Sequence, residues 1–479
     1  MLLAALVYGP QVANGGFYWD DWQNAVNVRF TPHGGLLGAL SFATDRPVFG
    51  YRPVLTGLLV VQYEALGLHK ELFLAAAALF ATSTAWALYA VMRTLGVAAR
   101  EALVPAALLL VFPWADSTRM WNTASFDTLA VTLYLLGLLA ALHALRRGSR
   151  VLTVVSAALY LAACWTYEVL AVGVLASVAV YLLVAPRRAV LRRFALDAAL
   201  TAVALGLVAS GTTRTPLGAG DQLAHAGTLA SQSFGLLARA LVPVGDVPGI
   251  VGALALAAGA AVAARRGMLP PIALGVLCVV AGYVMFVPAA RYYEPLAPGT
   301  LNRMNVFAAV GFVILVCALV RAVSWGRVMA AVLVAAIAAG WVVRVRDDQA
   351  GWQRSAEVQA NVLGVVRETV PHPPRGATIY TFNSPSFVAP NVPAFSLPFD
   401  LRAAVRLDYD DDSLAAYPVR GLDVIRCLRH SLHPLGGTYG TKHGARYGEA
   451  WFVDVRERTA VRIDSRAQCR REAVRLVSV

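Results

Sequence analysis

Residues 126–146 read FDTLAVTLYLLGLLAALHALR, and segments of this kind decide the fold class. A helix of about 20 mostly apolar residues is long enough to cross the ~30 Å hydrocarbon core of a bilayer. Similar segments recur along most of the 479-residue chain, which is 58% hydrophobic and only 14% charged. This composition excludes a soluble enzyme. It predicts a polytopic helical membrane protein, since open sheets cannot span lipid.

Hydrophobic runs predict an all-α polytopic membrane domain over residues 1–346 with about eleven transmembrane helices. The segment 51–69 is also apolar, but counting it as a span would move every later arginine cluster to the opposite face. Because it begins with Arg52-Pro53, it is predicted as an interfacial or re-entrant helix after helix one. The predicted spans are 2–18, 72–92, 101–115, 126–146, 151–166, 169–186, 194–212, 247–265, 269–288, 304–322 and 327–344.

Arginines in the loops predict the orientation. Of 41 basic residues only Lys70 and Lys442 are lysines, and most arginines between the predicted helices fall on one side. Cytoplasmic loops carry this bias, so the N-terminus is predicted inside and the C-terminal part outside a bacterial-type plasma membrane. The same bias explains the net charge of +13, and no nucleic-acid partner is expected. The first segment has no basic leader, so we expect the natural chain to begin further upstream.

From about residue 347 the sequence becomes polar and rich in proline, with strand-like runs at 377–382 and 451–455. It predicts a small extracytoplasmic α/β or α+β domain over 347–479. Cys427 and Cys469 lie in this tail and can pair if the tail is outside the cytosol. The other cysteines lie in apolar helices as small hydrophobic residues: Cys164, Cys278 and Cys317.

The tetrad Trp19-Asp20-Asp21-Trp22 ends the first hydrophobic segment. Charge at a membrane boundary is inexpensive only where it meets water, and flanking aromatic residues suit the interfacial belt. The tetrad therefore predicts two carboxylates at the outer lipid–water surface, placed to act on a lipid-borne substrate. The alternative is a solvated helix end, because aspartate is common at helix N-caps.

Further polar groups are predicted on the same outer side. Carboxylates can activate a hydroxyl as general bases, and arginine can hold a phosphate in a bidentate fork. The alternatives are a surface ion pair between Asp116 and Arg119, a turn cap at Glu168, and arginines that bind lipid headgroups without specificity. The groups are Arg52, Asp116, Arg119, Glu168, Arg291, Tyr293, Glu294 and Arg303.

The order of these motifs resembles the GT-C glycosyltransferases, most closely the protein O-mannosyltransferase group and relatives that use polyprenyl-phosphate sugars. The chain departs from the family at Phe112, Asp116 and Tyr167, where the family has His, Glu and Lys. The matching pieces are the acidic pair Asp20-Asp21, the Arg52-Pro53 helix start, the loop Phe112-Pro113…Asp116, the turn Tyr167-Glu168 and the loop Arg291-Tyr292-Tyr293.

The resemblance implies an inverting glycosyltransferase that moves a sugar from a polyprenyl-phosphate donor to a hydroxyl of a saccharide or protein acceptor. Asp20, Asp21 and Asp116 would be catalytic, with Asp20 as the base and Asp21 as its support. A divalent metal ion, if one takes part, would bind Asp20 and Asp116. The residues implied to bind the donor phosphate are Arg52, Glu168, Arg291, Tyr293 and Arg303.

Three other functions stay open from the sequence: a transporter or flippase for lipid-linked saccharides, a polysaccharide polymerase or ligase, and a non-catalytic scaffold that displays the tail. A transporter would need ionisable residues in mid-membrane, whereas the predicted helix centres are almost purely apolar. A polymerase or ligase is chemically close but does not have the early acidic pair as its hallmark.

Overall fold

A computed structural model of the protein describes residues 1–31, 35–44, 51–211, 215–243, 245–266, 269–420, 424–435 and 444–477. The chain divides into two compact units. The first comprises Met1–Ala13, Ala43–Leu58 and Leu72–Gln349, and the second comprises Asn14–Phe42, Leu59–Glu71 and Ala350–Val479.

The described residues are mostly helical, and the strands all lie near the C-terminus. In chain order the helices are α1 (Leu2–Asn14), α2 (Asp20–Arg29), α3 (Gly35–Thr44), α4 (Pro53–Leu66), α5 (Lys70–Thr94), α6 (Ala99–Leu110), α7 (Ser117–Met120), α8 (Asn122–Arg147), α9 (Arg150–Thr166), α10 (Leu170–Tyr181), α11 (Arg187–Gly211), α12 (Ala219–Leu241), α13 (Gly249–Arg265), α14 (Leu269–Val284), α15 (Ala308–Val323), α16 (Arg327–Thr369), α17 (Pro398–Tyr409) and α18 (Arg466–Val477). The strands are β1 (Thr378–Phe382), β2 (Phe387–Ala389), β3 (Val392–Pro393), β4 (Ala415–Pro418), β5 (Val424–Cys427), β6 (Ser431–Leu435), β7 (Ala445–Arg446), β8 (Ala450–Asp454) and β9 (Thr459–Ile463).

Four of the described helices are long and apolar enough to cross a membrane: α5, α8, α11 and α16. A fifth candidate is the 3₁₀ helix Gly299–Asn305 followed by α15, two segments that meet at 71°. Helices occur at all eleven predicted positions, and these five candidates are among them. The prediction of helices is therefore confirmed, whereas the number of eleven spans stays a prediction.

Helix α12 is missing from the sequence-based prediction, which has no helix between residues 212 and 247. Asp221, Gln222 and Gln232 lower the hydropathy of this segment. The helix forms because its apolar residues share one face, on which Leu229 and Leu236 are buried. A period of 3.6 residues, and not a hydropathy window, is the signal for such an amphipathic helix.

Helix α16 continues well beyond its predicted end at residue 344 and reaches Thr369. The charges at Arg344, Arg346, Asp347 and Asp348 end the hydrophobic run but do not end the helix. The predicted domain boundary at 346/347 therefore lies inside a continuous helix. Within the second unit, the last turns of α16 and the residue that follows them bury an apolar stripe: Val362, Val365, Val366 and Val370.

The second unit contains a four-stranded sheet with the order β4-β1-β8-β9, in which β4, β1 and β8 are parallel and β9 runs antiparallel to β8. Helix α17 connects β1 to β4. Alternate residues of β1 face opposite sides, so Ile379 packs in the core with α16 and α17 while Tyr380 and Phe382 pack in a second core. The predicted strands at 377–382 and 451–455 are thus confirmed. Cys427 and Cys469 form a disulfide between β5 and α18.

Candidate functional site

The acidic tetrad begins helix α2 in the second unit. Asp20 and Asp21 occupy the first turn, where the positive end of the helix dipole favours carboxylates. Asp21 is fully buried, and its Oδ2 accepts a hydrogen bond of 3.1 Å from the backbone N–H of Tyr18. Asp20 is only partly buried. The two acids therefore differ: Asp21 stabilises the helix start, and Asp20 has the more accessible carboxylate.

The aromatic residues around the acidic pair make contacts within the protein, although Trp19 and Trp22 are only partly buried. Tyr18 is fully buried, and its hydroxyl donates to the Trp352 carbonyl at 2.8 Å. The Trp19 indole donates to Ser396 Oγ at 2.6 Å. These polar ring atoms therefore find partners within the protein, and the position of the tetrad at the lipid–water surface stays a prediction.

The Trp22 side chain links α2 to α16 within the second unit. Its indole donates to Gln359 Oε1 at 2.7 Å, and its ring meets Phe17 edge-on at 5.4 Å between centroids. Just before the tetrad, a side chain at Gly16 would place its Cβ 2.9 Å from the Cβ of Ala356. A residue without a side chain is therefore required at position 16 for this close approach.

Asp400 is a second buried acid near the pair that the sequence did not single out. It is 1% exposed and lies in the first turn of α17. Backbone N–H groups of Ser396 and Leu401 donate to its carboxyl at 3.0 and 2.6 Å. Burial and, to a smaller extent, the charge of Asp20 raise the pKa of Asp400, and these N–H groups lower it, with a net pKa of about 8. Asp20 and Asp400 therefore interact electrostatically.

In the first unit, Arg52 forms a bidentate ion pair with Glu168. Its Nε and a terminal nitrogen donate to the two carboxylate oxygens at 2.7 and 2.6 Å, and both side chains are 20% exposed. The guanidinium carbon lies 5.8 Å from the ring centroid of Tyr167. Burial disfavours the charge of Arg52, but the carboxylate of Glu168 outweighs this and raises the pKa of Arg52. Glu168 is thus more than a turn cap.

A second arginine and a second acid complete what we call the arginine–acid cluster: Arg52, Asp127, Glu168 and Arg303. Asp127, in α8, is 4% exposed and interacts with the charges of the other three members. Its Oδ2 has no hydrogen-bond partner among the described groups. The guanidinium carbon of Arg303 lies 5.3 Å from the ring centroid of Trp121. The structure therefore brings together three predicted phosphate ligands around an acid that was not predicted.

Asp116 is buried in the first unit, at 1% exposure. Asn302 donates to its Oδ1 at 2.7 Å, and Asp348 interacts with the same carboxyl. Burial and then Asp348 raise the pKa of Asp116 well above its ordinary value, against the opposing effects of Asn302 and Arg119. The alternative of a surface ion pair with Arg119 is wrong, because Arg119 is itself buried and donates to the carbonyls of Phe112 and Leu109.

Arg291 and Tyr293 occupy the loop before the 3₁₀ helix. Arg291 is exposed and forms an ion pair with Asp221. Tyr293 is buried, and its carbonyl lies 2.9 Å from Nε2 of His225 in α12. Tyr293 also interacts electrostatically with Tyr167. Of these two predicted phosphate ligands, Tyr293 is therefore a buried neighbour of Tyr167, and Arg291 pairs with Asp221.

The divalent-cation role expected for Asp20 and Asp116 stays a prediction. Within the described ranges, no three His, Cys, Asp or Glu side chains come together as a metal site. At Asp116, Oδ1 accepts a hydrogen bond from the Asn302 amide.

A separate polar network is buried among helices α8 to α11. Arg193 and Asp197 form an ion pair of 2.8 Å with side chains 4% and 1% exposed. The Tyr181 hydroxyl donates to Asp197 at 2.8 Å and lies 2.9 Å from the Tyr160 hydroxyl. Arg193 also donates to Ser156 Oγ at 2.6 Å. The expectation that helix interiors are almost purely apolar therefore fails at this network.

Comparison with known proteins gives distant structural similarities. No model of a protein family matches the chain, and no curated protein matches it in sequence. Among solved structures, an Archaeoglobus fulgidus oligosaccharyltransferase, tethered to an acceptor peptide that contains the NVT sequon, shares 12% identity with a TM-score of 0.44. The alignment covers 87% of this chain and 63% of that chain. This chain therefore spans less than two thirds of that protein, and so low a TM-score does not establish a shared fold.

Proposed function

We propose that this chain is an inverting glycosyltransferase that moves a sugar from a polyprenyl-phosphate donor to a hydroxyl acceptor on the extracytoplasmic face of the membrane. The arginine–acid cluster carries the proposal. Isolated charges inside a membrane-embedded helical unit are expensive, so four of them together indicate a binding site more strongly than a structural contact. Two guanidinium groups in one cluster provide positive charge and N–H donors for the oxygens of a phosphate.

The donor phosphate is assigned to Arg52 and Arg303. A phosphate that leaves the anomeric carbon needs its growing charge stabilised more than it needs a proton, and fixed guanidinium groups supply that stabilisation. Glu168 holds Arg52 in one orientation through the two hydrogen bonds described above. Asp127 opposes the excess positive charge while no phosphate is bound.

The acceptor is assigned to Asp20. In the proposed step the acceptor oxygen forms a bond to the anomeric carbon while the bond from that carbon to the phosphate oxygen breaks. The acceptor proton passes to the Asp20 carboxylate, and the polyprenyl phosphate leaves with the bonding electron pair. The role of Asp20 is supported by its place in the motif order and by its partial exposure, in contrast to the buried Asp21.

The Cys427–Cys469 disulfide supports an extracytoplasmic position of the second unit. Structural disulfides persist in oxidising compartments and are rare in the cytosol. The same orientation follows from the arginine-rich loops, which favour the cytoplasmic side. Two independent features therefore favour catalysis outside the cytoplasm.

The test is transfer of radiolabelled sugar from synthetic polyprenyl-phosphate sugars in membrane vesicles that contain the full-length protein. We expect transfer by the wild-type chain and a loss of at least a hundredfold in Asp20→Asn. Ser413→Ala, a hydroxyl removal in the C-terminal domain, serves as the control at equal expression. Wild-type vesicles that move the lipid-linked sugar across the membrane, but join it to no acceptor, would favour a flippase instead.

A further inference from the structure

Side chains of the C-terminal domain form hydrogen bonds with residues of α2 and with Trp19, which precedes it. These side chains and α2 belong to the same second unit. Besides the Trp22 bond to α16, the Trp19 indole donates to Ser396 Oγ at 2.6 Å. At the other end of α2, the guanidinium of Arg29 makes two hydrogen bonds of 3.1 Å to the carboxylate of Asp410. Helix α2 is therefore fixed at both ends by residues that follow it by more than 330 positions in the chain.

The backbone is strained on both sides of the Trp19–Ser396 bond. Trp19 has φ of 45° and Phe395, the residue before Ser396, has φ of 63°. Aromatic residues rarely adopt this left-handed region. Such conformations persist only where the surroundings fix them, and they concentrate at functional sites. The strained Trp19 directly precedes Asp20, so the same contact that holds its indole also sets the start of α2.

The turn that presents Ser396 is itself fixed by Asp400. The carboxyl of Asp400 accepts the backbone N–H groups of Ser396 and Leu397 on one side and of Leu401 on the other. Ser396 is fully buried, so its hydroxyl has little freedom to move. A continuous path therefore runs from the Asp400 carboxyl, through Ser396, to the Trp19 indole and the peptide that carries Asp20.

We propose that the C-terminal domain is a working part of the acidic site, in which Ser396 and Asp400 are positioning residues that fix the strained Trp19 backbone and thereby the direction of Asp20. The inference rests on the proposed function for its catalytic meaning. It assigns the C-terminal domain a role that neither its strands nor its composition suggested. The positioning itself is a property of the second unit and can be measured without any substrate.

The first experiment measures hydrogen–deuterium exchange of residues 17–30 in the full-length protein in detergent. In Ser396→Ala the Trp19 indole loses its acceptor, and we expect the amides of α2 to exchange roughly five- to tenfold faster, the effect of losing about one hydrogen bond. Ser396→Thr keeps a hydroxyl and is expected to restore slow exchange. The matched control is Ser413→Ala, which removes a hydroxyl bonded to Asp411 in the same domain without touching α2.

The second experiment measures sugar transfer by the same variants. Positioning predicts that Ser396→Ala lowers kcat about tenfold and leaves the KM for the donor within twofold, with recovery in Ser396→Thr. Unchanged exchange of α2 in Ser396→Ala would overturn the inference, whatever the transfer rates. Faster exchange with an unchanged kcat would overturn it too. If the wild-type chain transfers no sugar, the proposed function is rejected, and with it the role of this positioning in catalysis. The exchange result would still decide whether the C-terminal domain holds α2.

If Ser396→Thr does not fold because of its added methyl group, Asp400→Asn provides the second variant. The amide nitrogen of asparagine cannot accept the backbone N–H groups that now bind a carboxyl oxygen. We expect exchange of α2 to rise in this variant as well, in the same direction as in Ser396→Ala. Protection equal to that of the wild-type chain would contradict the path from Asp400 to Trp19.

Discussion

The variant Arg52→Lys distinguishes two roles of Arg52, binding of the donor phosphate and structural pairing with Glu168. Lysine keeps the positive charge beside Glu168 but loses the planar fork, so one of the two hydrogen bonds of 2.7 and 2.6 Å disappears. A hydrogen bond to a charged group contributes about 1.5–3 kcal/mol. A phosphate held by the remaining N–H groups of the guanidinium would likewise lose about 2 kcal/mol in the lysine variant, and the kcat/KM for the donor should fall roughly thirtyfold.

The stability of the protein should change much less than the donor kinetics. The pair with Glu168 is 20% exposed, and lysine still neutralises the carboxylate, so we expect a loss of under about 1 kcal/mol on thermal unfolding. Glu168→Gln should show the opposite pattern. It removes a charge from the pair and destabilises the fold by about 2 kcal/mol, yet the glutamine oxygen still accepts from Arg52 and keeps the guanidinium in place, so kcat/KM should stay within threefold.

The assay is initial-rate transfer from a polyprenyl-phosphate sugar by purified protein in nanodiscs, with thermal unfolding measured on the same samples. Arg239→Lys is the matched control, since Arg239 forms an ion pair of 2.8 Å with Asp246 elsewhere in the first unit. Equal losses of stability and of kcat/KM in Arg52→Lys and Glu168→Gln would refute the reasoning. Arg52 would then be a structural partner of Glu168 and not a ligand of the donor.

Three further predictions concern stability. The pKa of Asp400 is raised to about 8 in the folded state from an ordinary value of 3.8, so the folded protein binds this proton more tightly than the unfolded chain. The resulting stabilisation, up to about 6 kcal/mol, is complete below pH 4 and should disappear as the pH rises to 8. Asp400→Asn should abolish this pH dependence of the free energy of unfolding, measured by thermal unfolding. Reduction of the Cys427–Cys469 disulfide, which closes a loop with a sequence separation of 42, should destabilise the second unit by about 4 kcal/mol in a denaturant titration. Asp197→Leu should lower the free energy of unfolding by about 3 kcal/mol, because it leaves the Arg193 charge buried without its partner. Adding Arg193→Met should restore most of that free energy in thermal unfolding. No recovery in the double variant would contradict this account.

Hydropathy and local patterns predict the elements of this fold well. The apolar stretch at 126–146 corresponds to α8, and the runs at 377–382 and 451–455 correspond to two neighbouring strands. These features are local, because each depends on residues that are close in sequence. Helix α12 is not predicted because an averaged hydropathy combines its polar face with its buried apolar face.

The candidate site depends on contacts that no local pattern contains. The Trp19 bond to Ser396 joins residues separated by 377 positions, and neither residue indicates the other. Asp127 did leave a signal: it is a lone acid in the first turns of an otherwise apolar segment, and such an acid is retained in a membrane helix only with partners. That signal was available in the sequence, whereas the partners Arg52 and Arg303 follow only from the fold.

The three acids predicted to be catalytic are not equivalent, and burial distinguishes them. Asp21 is fully buried and bonded to the Tyr18 backbone, so it has no open path to a substrate. Asp116 is 1% exposed and its Oδ1 accepts from Asn302, so it too is closed off from a substrate. Asp20 alone among the three keeps partial exposure at the start of a helix. If an acid of this group receives the proton of an acceptor hydroxyl, Asp20 is the acid that can exchange it with the substrate and then with water.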